Sequence, residues 1–206
     1  MTAAILLQSC TQTDELMFSC DKGIDNWVKD NIFDIQEMSR AEWNMQPYSE
    51  QIAVFRAFTP EKKFAFWAEK FEELKQLPWT PAELAHIELA EHFLHTHPNM
   101  YTKRTEQEED ELDTFYYTWT NKAKEELHWS DELTTAVIIF GNTLEDTKGK
   151  MKVSPVEPII PGEKPDCNCY FGVGFCPLTN PCERGHCNVT SGGCGLMGGM
   201  DCDGTC

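Results

Sequence analysis

Apolar residues recur at helical spacing from Ile24 to Phe140, and legible start and stop signals divide them into segments. Ile24, Trp27, Val28, Ile32, Ile35 and Met38 predict one helix over Ile24 to Met38. Ser39 with Glu42 fits a capping box for a short helix after it. Ser49 reads as the cap of a helix from Glu50 to Phe58 that carries Ile52, Val54 and Phe55. Thr59-Pro60 is a start signal, because Thr accepts a backbone N–H and Pro fits where no donor is needed. That helix is expected to reach Leu77, with Phe64, Trp67, Phe71 and Leu74 on one face, and Pro78 stops it. Thr80-Pro81-Ala82-Glu83 repeats the device for a helix to His95, burying Leu84, Ile87, Ala90 and Leu94 with Leu89 at the border. Thr105 and Glu108 cap a helix to Leu127 with Leu112, Phe115, Tyr116, Trp119 and Ala123 as its stripe. Ser130 caps Asp131 to Phe140, and Gly141 with Asn142 ends it. Only the Thr-Pro cap recurs, so there is no internal repeat. The aromatic stripes read as helix–helix packing rather than a ligand pocket.

The pattern changes after Thr147. The stretch TKGKMKVSPVEPIIPGEKPD holds Pro155, Pro158, Pro161 and Pro165 and predicts an extended linker over 148–166. Lys148, Lys150, Lys152 and Lys164 within it are candidate cleavage sites for a processing protease. Residues 167–206 then hold eight of the chain's ten cysteines: Cys167, Cys169, Cys176, Cys182, Cys187, Cys194, Cys202 and Cys206. They also have too few aliphatic residues for a core of their own, so a covalent or metallic staple must supply what burial does not. The spacing C-x-C-x6-C-x5-C-x4-C-x6-C-x7-C-x3-C lacks the C-x2-C pairs of zinc modules. Disulfides fit better, with the pairing left open. The predicted fold class is therefore an all-α domain over 21–147 followed by a small, loop-dominated, disulfide-rich module. If cystines occupy the interior of that module, apolar side chains face outward. Tyr170, Phe171, Val173 and Phe175 form one candidate target-contact patch, and Leu196, Met197 and Met200 another.

Charge narrows the partners. A formal net charge of -17 excludes the basic footprint that nucleic acid requires, and gives no attraction to anionic lipid. Residues 1–20 read as a tether. Ala3 to Leu7 is a short apolar run, and Leu7-Gln8-Ser9-Cys10 resembles the lipobox of bacterial lipoproteins, in which Cys10 is lipidated. The polar spacer Thr11 to Glu15 fits that reading, as do disulfides, which need an oxidising compartment. The chemistry of enzymes is missing from the pattern: no paired catalytic carboxylates, Ser-His-Asp order or phosphate-cradling glycine loop can be picked out. His92, His95 and His97 suggest a metal site, but His97 falls at the helix end and no carboxylate follows at ligand spacing. The run Glu106 to Glu111 reads as an acidic first helical turn favoured by the dipole, not a calcium loop. No enzyme activity, cofactor or metal is expected.

The cysteine tail resembles the bacteriocin fulvocin C family. The resemblance rests on CNC at Cys167 to Cys169, FCP at Phe175 to Pro177, Cys182, Cys187, GCG at Gly193 to Gly195 and CDG at Cys202 to Gly204. It covers the tail alone; a helical region before such a tail is similar to fulvocin C-related bacterial proteins. The resemblance implies a secreted or surface-anchored antibacterial protein of a bacterium, whose tail acts on the envelope or membrane of a competitor by binding. Proteolysis in the linker would release that tail. The alternatives are a surface lipoprotein with a non-toxic Cys-rich binding module and a Cys/His metal-binding protein.

Overall fold

The computed structural model describes residues 16–19, 21–152, 169, 182–184 and 190–205. Among these, eight α-helices precede a region of short strands held by disulfides, as the fold class requires. The helices are α1 (Lys22–Asp30), α2 (Ile32–Glu37), α3 (Arg40–Trp43), α4 (Tyr48–Ala57), α5 (Pro60–Leu74), α6 (Pro81–Thr96), α7 (Glu106–Glu125) and α8 (Asp131–Ile138). The strands are β1 (Thr143–Leu144), β2 (Met151–Lys152), β3 (Glu183–Arg184), β4 (Thr190–Cys194), β5 (Met200–Cys202) and β6 (Gly204–Thr205). They pair antiparallel as β1–β2, β3–β6 and β4–β5.

The start signals act as their chemistry dictates. Ser39, Thr80 and Thr105 each form a complete capping box, with Glu42, Glu83 and Glu108 respectively. Thr59 and Ser130 cap α5 and α8 through their hydroxyls. Several boundaries differ, and α5 and α7 end at Leu74 and Glu125, short of the expected Leu77 and Leu127. The helix expected from Ile24 to Met38 breaks at Asn31, whose side-chain amide donates to the Trp27 carbonyl at 2.7 Å and so competes with the backbone ladder. The helix after it begins at Tyr48, with Pro47 at the cap, so Ser49 lies in its first turn. There the Pro47 carbonyl takes the Glu50 N–H at 2.9 Å and starts the ladder. Finally, α8 stops at Ile138 rather than Phe140.

The last difference has a cause that the apolar pattern does not contain. Lys70 of α5 is only 1% exposed, and its ammonium donates to the carbonyls of Ala136, at 2.6 Å, and Phe140. It caps the C-terminal carbonyls of α8 from a neighbouring helix. Burial, and then the charge of Arg40, pushes its pKa well below the usual lysine range. Arg40 is itself buried. It pairs with Glu73 and donates to the Gly141 carbonyl at 2.8 Å. Gly141 has no room for a side chain, since a Cβ would lie 2.5 Å from the Phe66 ring. Phe66 is the hub of the aromatic core, edge-on to Trp43 at 4.9 Å and to Phe55 at 5.3 Å. It lies off the expected α5 stripe, whereas Phe64 on that stripe is only partly buried.

The expected linker also starts too early. Thr143 pairs with Lys152 and Leu144 with Met151, and the Asp146 carboxylate accepts the N–H groups of Lys148 and Lys150 at 2.8 and 3.1 Å. Gly149 turns the hairpin at φ +91° against the Leu133 backbone. Lys148, Lys150 and Lys152 are exposed, but their backbone is engaged in this hairpin. They do not offer the free extended chain that a protease needs. Lys164 lies outside the described residues, as does Cys10 of the expected tether.

A buried histidine supplies a test of the core. His86 is stacked on Trp119 with ring centroids 4.3 Å apart. Its Nε2–H donates to the Trp119 carbonyl at 3.1 Å, and the Trp119 indole N–H donates to the His86 carbonyl at 2.9 Å. Nδ1 is buried without a partner among the described residues, so a second proton there would lack an acceptor. Burial accordingly lowers the His86 pKa from 6.5 to about 4. Because the folded-state pKa is the lower one, the unfolded chain takes up the proton first as pH falls. This contribution to stability is full above pH 6.5 and is lost as pH falls towards 4. Denaturant titrations should show a loss of about 2 kcal/mol between pH 7 and pH 5 attributable to this residue. His86→Gln should remove that share; an unchanged pH dependence would rule the account out.

Candidate functional site

The part of the cysteine-rich region that the structure describes most fully is the hairpin β4–β5, residues 190–202. Its sequence, TSGGCGLMGGMDC, contains few side chains able to make a core. The hairpin is closed by the disulfide Cys194–Cys202, with Cα atoms 5.2 Å apart. Thr190 pairs with Cys202 and Cys194 with Met200, with a register shift between them. A tight 3₁₀ turn, Leu196–Gly198, connects the strands. Two glycines make the turn possible. Gly195 (φ +62°) and Gly198 (φ +66°) adopt the left-handed region, and between them Met197 is held there too at φ +48°.

This turn drives its apolar side chains into the helical core. Leu196 and Met197 are both 0% exposed, and Met200 is 3% exposed. All three belong to the buried cluster that contains Phe55, Phe66 and Met100. They were expected to form an outward-facing target-contact patch, and the structure overturns that. Glycines on both sides let the turn lie flat against α4 and the 3₁₀ turn Pro98–Tyr101. Burial of each apolar side chain is worth roughly 2–3 kcal/mol relative to exposure. Polar contacts fix the orientation. The Tyr101 hydroxyl donates to the Met197 carbonyl at 3.0 Å, and burial keeps that phenol protonated by pushing its pKa well above 10. The Arg56 guanidinium donates to the Gly192 carbonyl at 3.4 Å and to the Phe18 carbonyl at 2.8 Å, so it joins hairpin, α4 and the segment before α1. Ile52 of α4 packs on Cys194 and Cys202 themselves.

A second disulfide, Cys169–Cys182, has Cα atoms 6.0 Å apart. Cys169 exchanges backbone hydrogen bonds with Gly204, at 3.3 and 3.0 Å, and β3 pairs with β6 just beyond. Gly204 is indispensable there, since a Cβ would lie 2.5 Å from the Cys182 sulfur and 3.1 Å from the Cys169 sulfur. These two bonds assign Cys169, Cys182, Cys194 and Cys202 to disulfides, which form in an oxidising compartment. Cys167, Cys176, Cys187 and Cys206 lie outside the described residues, as do Tyr170, Phe171 and Phe175 of the other expected patch.

The histidines do not converge. His92 and His95 are exposed, and His97 at the end of α6 stacks on Phe93 with centroids 3.8 Å apart. Among the described residues no group of three or more His, Cys, Asp or Glu is placed to hold a metal ion. No helix among them is long and apolar enough to cross a membrane. The residues that receive the hairpin, Arg56, Met100 and Tyr101, carry no sequence signal of that role. The one available clue was Leu-Met flanked by glycines in a module otherwise short of core. No protein-family model, curated protein or solved structure matches the chain.

Docking of the turn makes a paired prediction. Gly198→Ala places a methyl group 2.5 Å from the Phe55 ring at φ +66°, and should cost roughly 2–4 kcal/mol. Gly192→Ala meets a comparable φ of +70° but nothing closer than 3.8 Å, and should cost only about 1 kcal/mol. Both are read from the melting of the helices by far-UV circular dichroism. Equal effects would contradict the close approach of the turn to α4.

Proposed function

We propose that this is a bacteriocin-like antibacterial protein, secreted or anchored at the surface of a bacterium, that acts on a competitor's envelope as one intact unit. The family resemblance of the tail, carried by CNC, FCP, GCG and CDG, supports the antibacterial reading. The disulfides support placement outside the cytoplasm. The single observation that carries the form of the proposal is the burial of Leu196 and Met197 in the core of the helical domain. A carrier or pro-region that gives up its tail would have to expose that apolar turn to water. The helical domain therefore belongs to the effector, and recognition is by binding rather than by covalent chemistry. A cut near Lys164 leaves the hairpin seated on α4.

The test uses the oxidised, full-length chain and a version with a specific protease site inserted after Gly162. Intact protein should inhibit growth of at least one related strain. After cleavage, the two fragments should co-elute from a sizing column without denaturant and separate only when unfolded. Lack of inhibition across a panel of related strains would defeat the antibacterial reading. Free elution of a folded tail fragment would defeat the single-unit reading.

A further inference from the structure

The docked hairpin creates a cleft that neither module has alone. It has a volume of about 540 Å³ and lies between α5, the loop 100–104 and the glycines of the β4–β5 turn. Its charged lining is Lys63, Lys103 and Arg104 facing Glu109 and Asp201. The whole chain has 17 Lys and Arg against 34 Asp and Glu, so a wall in which cations outnumber acids inverts the protein's overall balance.

Among the described residues the three cations make no direct ion pair, although Glu108 and Asp113 act electrostatically on Arg104. Lys63 lies over the Phe55 ring, 5.7 Å from its centroid, and makes no ion pair among the described residues. Burial, and then the charge of Arg56, lowers its pKa to about 8, as expected of a cation with no carboxylate beside it. Lys103 makes no ion pair among the described residues either; it is exposed and lines the cleft. Arg104 donates one guanidinium N–H to the Met100 carbonyl at 2.7 Å, while its Nε is buried without an acceptor among the described residues. The Nη2 group makes no hydrogen bond among the described residues and is the donor left for a bound anion. Of the two acids, Asp201 is already engaged by the Gly192 N–H at 3.0 Å, and Glu109 is exposed.

We propose that this cleft is a binding site for a phosphate-bearing molecule, with Lys63, Lys103 and Arg104 holding the phosphate group. Two lysines and a guanidinium suit a compact dianion, the lysines as point charges and the arginine as a fork. The space beyond is large enough for the remainder of a small organic phosphate or a lipid headgroup. The inference stands on the cleft and does not depend on antibacterial activity.

Isothermal titration of the oxidised full-length protein with inorganic phosphate and with glycerol 3-phosphate tests it, alongside co-sedimentation with phosphatidylcholine vesicles with and without phosphatidic acid. Saturable one-to-one binding of the soluble phosphates assigns a free ligand. Binding only to the vesicles containing phosphatidic acid assigns a headgroup. Lys63→Met and Lys103→Gln should each weaken binding by roughly tenfold, whereas Glu109→Gln should strengthen it several-fold. Lys103 and Glu109 are exposed, so their variants report on the cleft even where Lys63→Met impairs folding. Absence of saturable binding in every arm, or affinities unmoved by Lys103→Gln and Glu109→Gln, would overturn the proposal.

Discussion

The seating of Leu196 and Met197 beneath α4 is the contact on which the architecture turns. A glycine-rich hairpin has almost nothing to bury internally, and ordering its backbone costs on the order of 1–2 kcal/mol per residue. The Cys194–Cys202 disulfide lowers that cost by restricting the unfolded chain. The two apolar side chains recover free energy by entering a core they did not have to build. Neither contribution suffices alone. The disulfide without the core leaves a loop; the core without the disulfide asks a flexible segment to order itself. A protein of ordinary marginal stability, about 5–15 kcal/mol in total, cannot easily part with either.

The helical domain is prepared for this load by buried cations as much as by apolar packing. Lys70 and Arg40, both on or against α5, hold the end of α8 and the turn at Gly141 by their carbonyls. Those contacts direct the chain into the β1–β2 hairpin, which delays the start of the linker. They also fix Phe66 against Gly141, and Phe66 in turn packs on Phe55, the ring that meets Gly198 of the docked turn. The path from buried lysine to docked tail is therefore a continuous series of contacts within one core.

Much of the helical domain was legible because its signals are local. A Thr or Ser followed three residues later by Glu satisfies backbone donors wherever it occurs, so α3, α6 and α7 start where those residues stand. What escaped were chiefly features whose partners are distant in sequence. Lys70 looks like a solvated lysine until Ala136 and Phe140 are brought to it, and Arg40 like a surface cation until Gly141 meets it. The candidate site was half legible. The cysteines announced disulfides, but hydrophobic residues in a coreless module were read as a surface when they are a plug. Nothing in the residues of α4 or of the loop 100–104 declares that they receive it, because an apolar helix face looks the same whichever segment covers it.

Native-state hydrogen exchange measures the central claim directly. The Gly199 amide is bonded to the Leu196 carbonyl at 2.8 Å within the docked turn, and the Lys75 amide to the Phe71 carbonyl at 3.1 Å at the end of α5, whose interior amides report global opening. If hairpin and helices share one core, the Gly199 amide should open with a free energy close to that of the α5 interior, and Gly198→Ala should lower both together. Fast exchange at Gly199 alongside full protection of α5, with the substitution felt only in the hairpin, would contradict it.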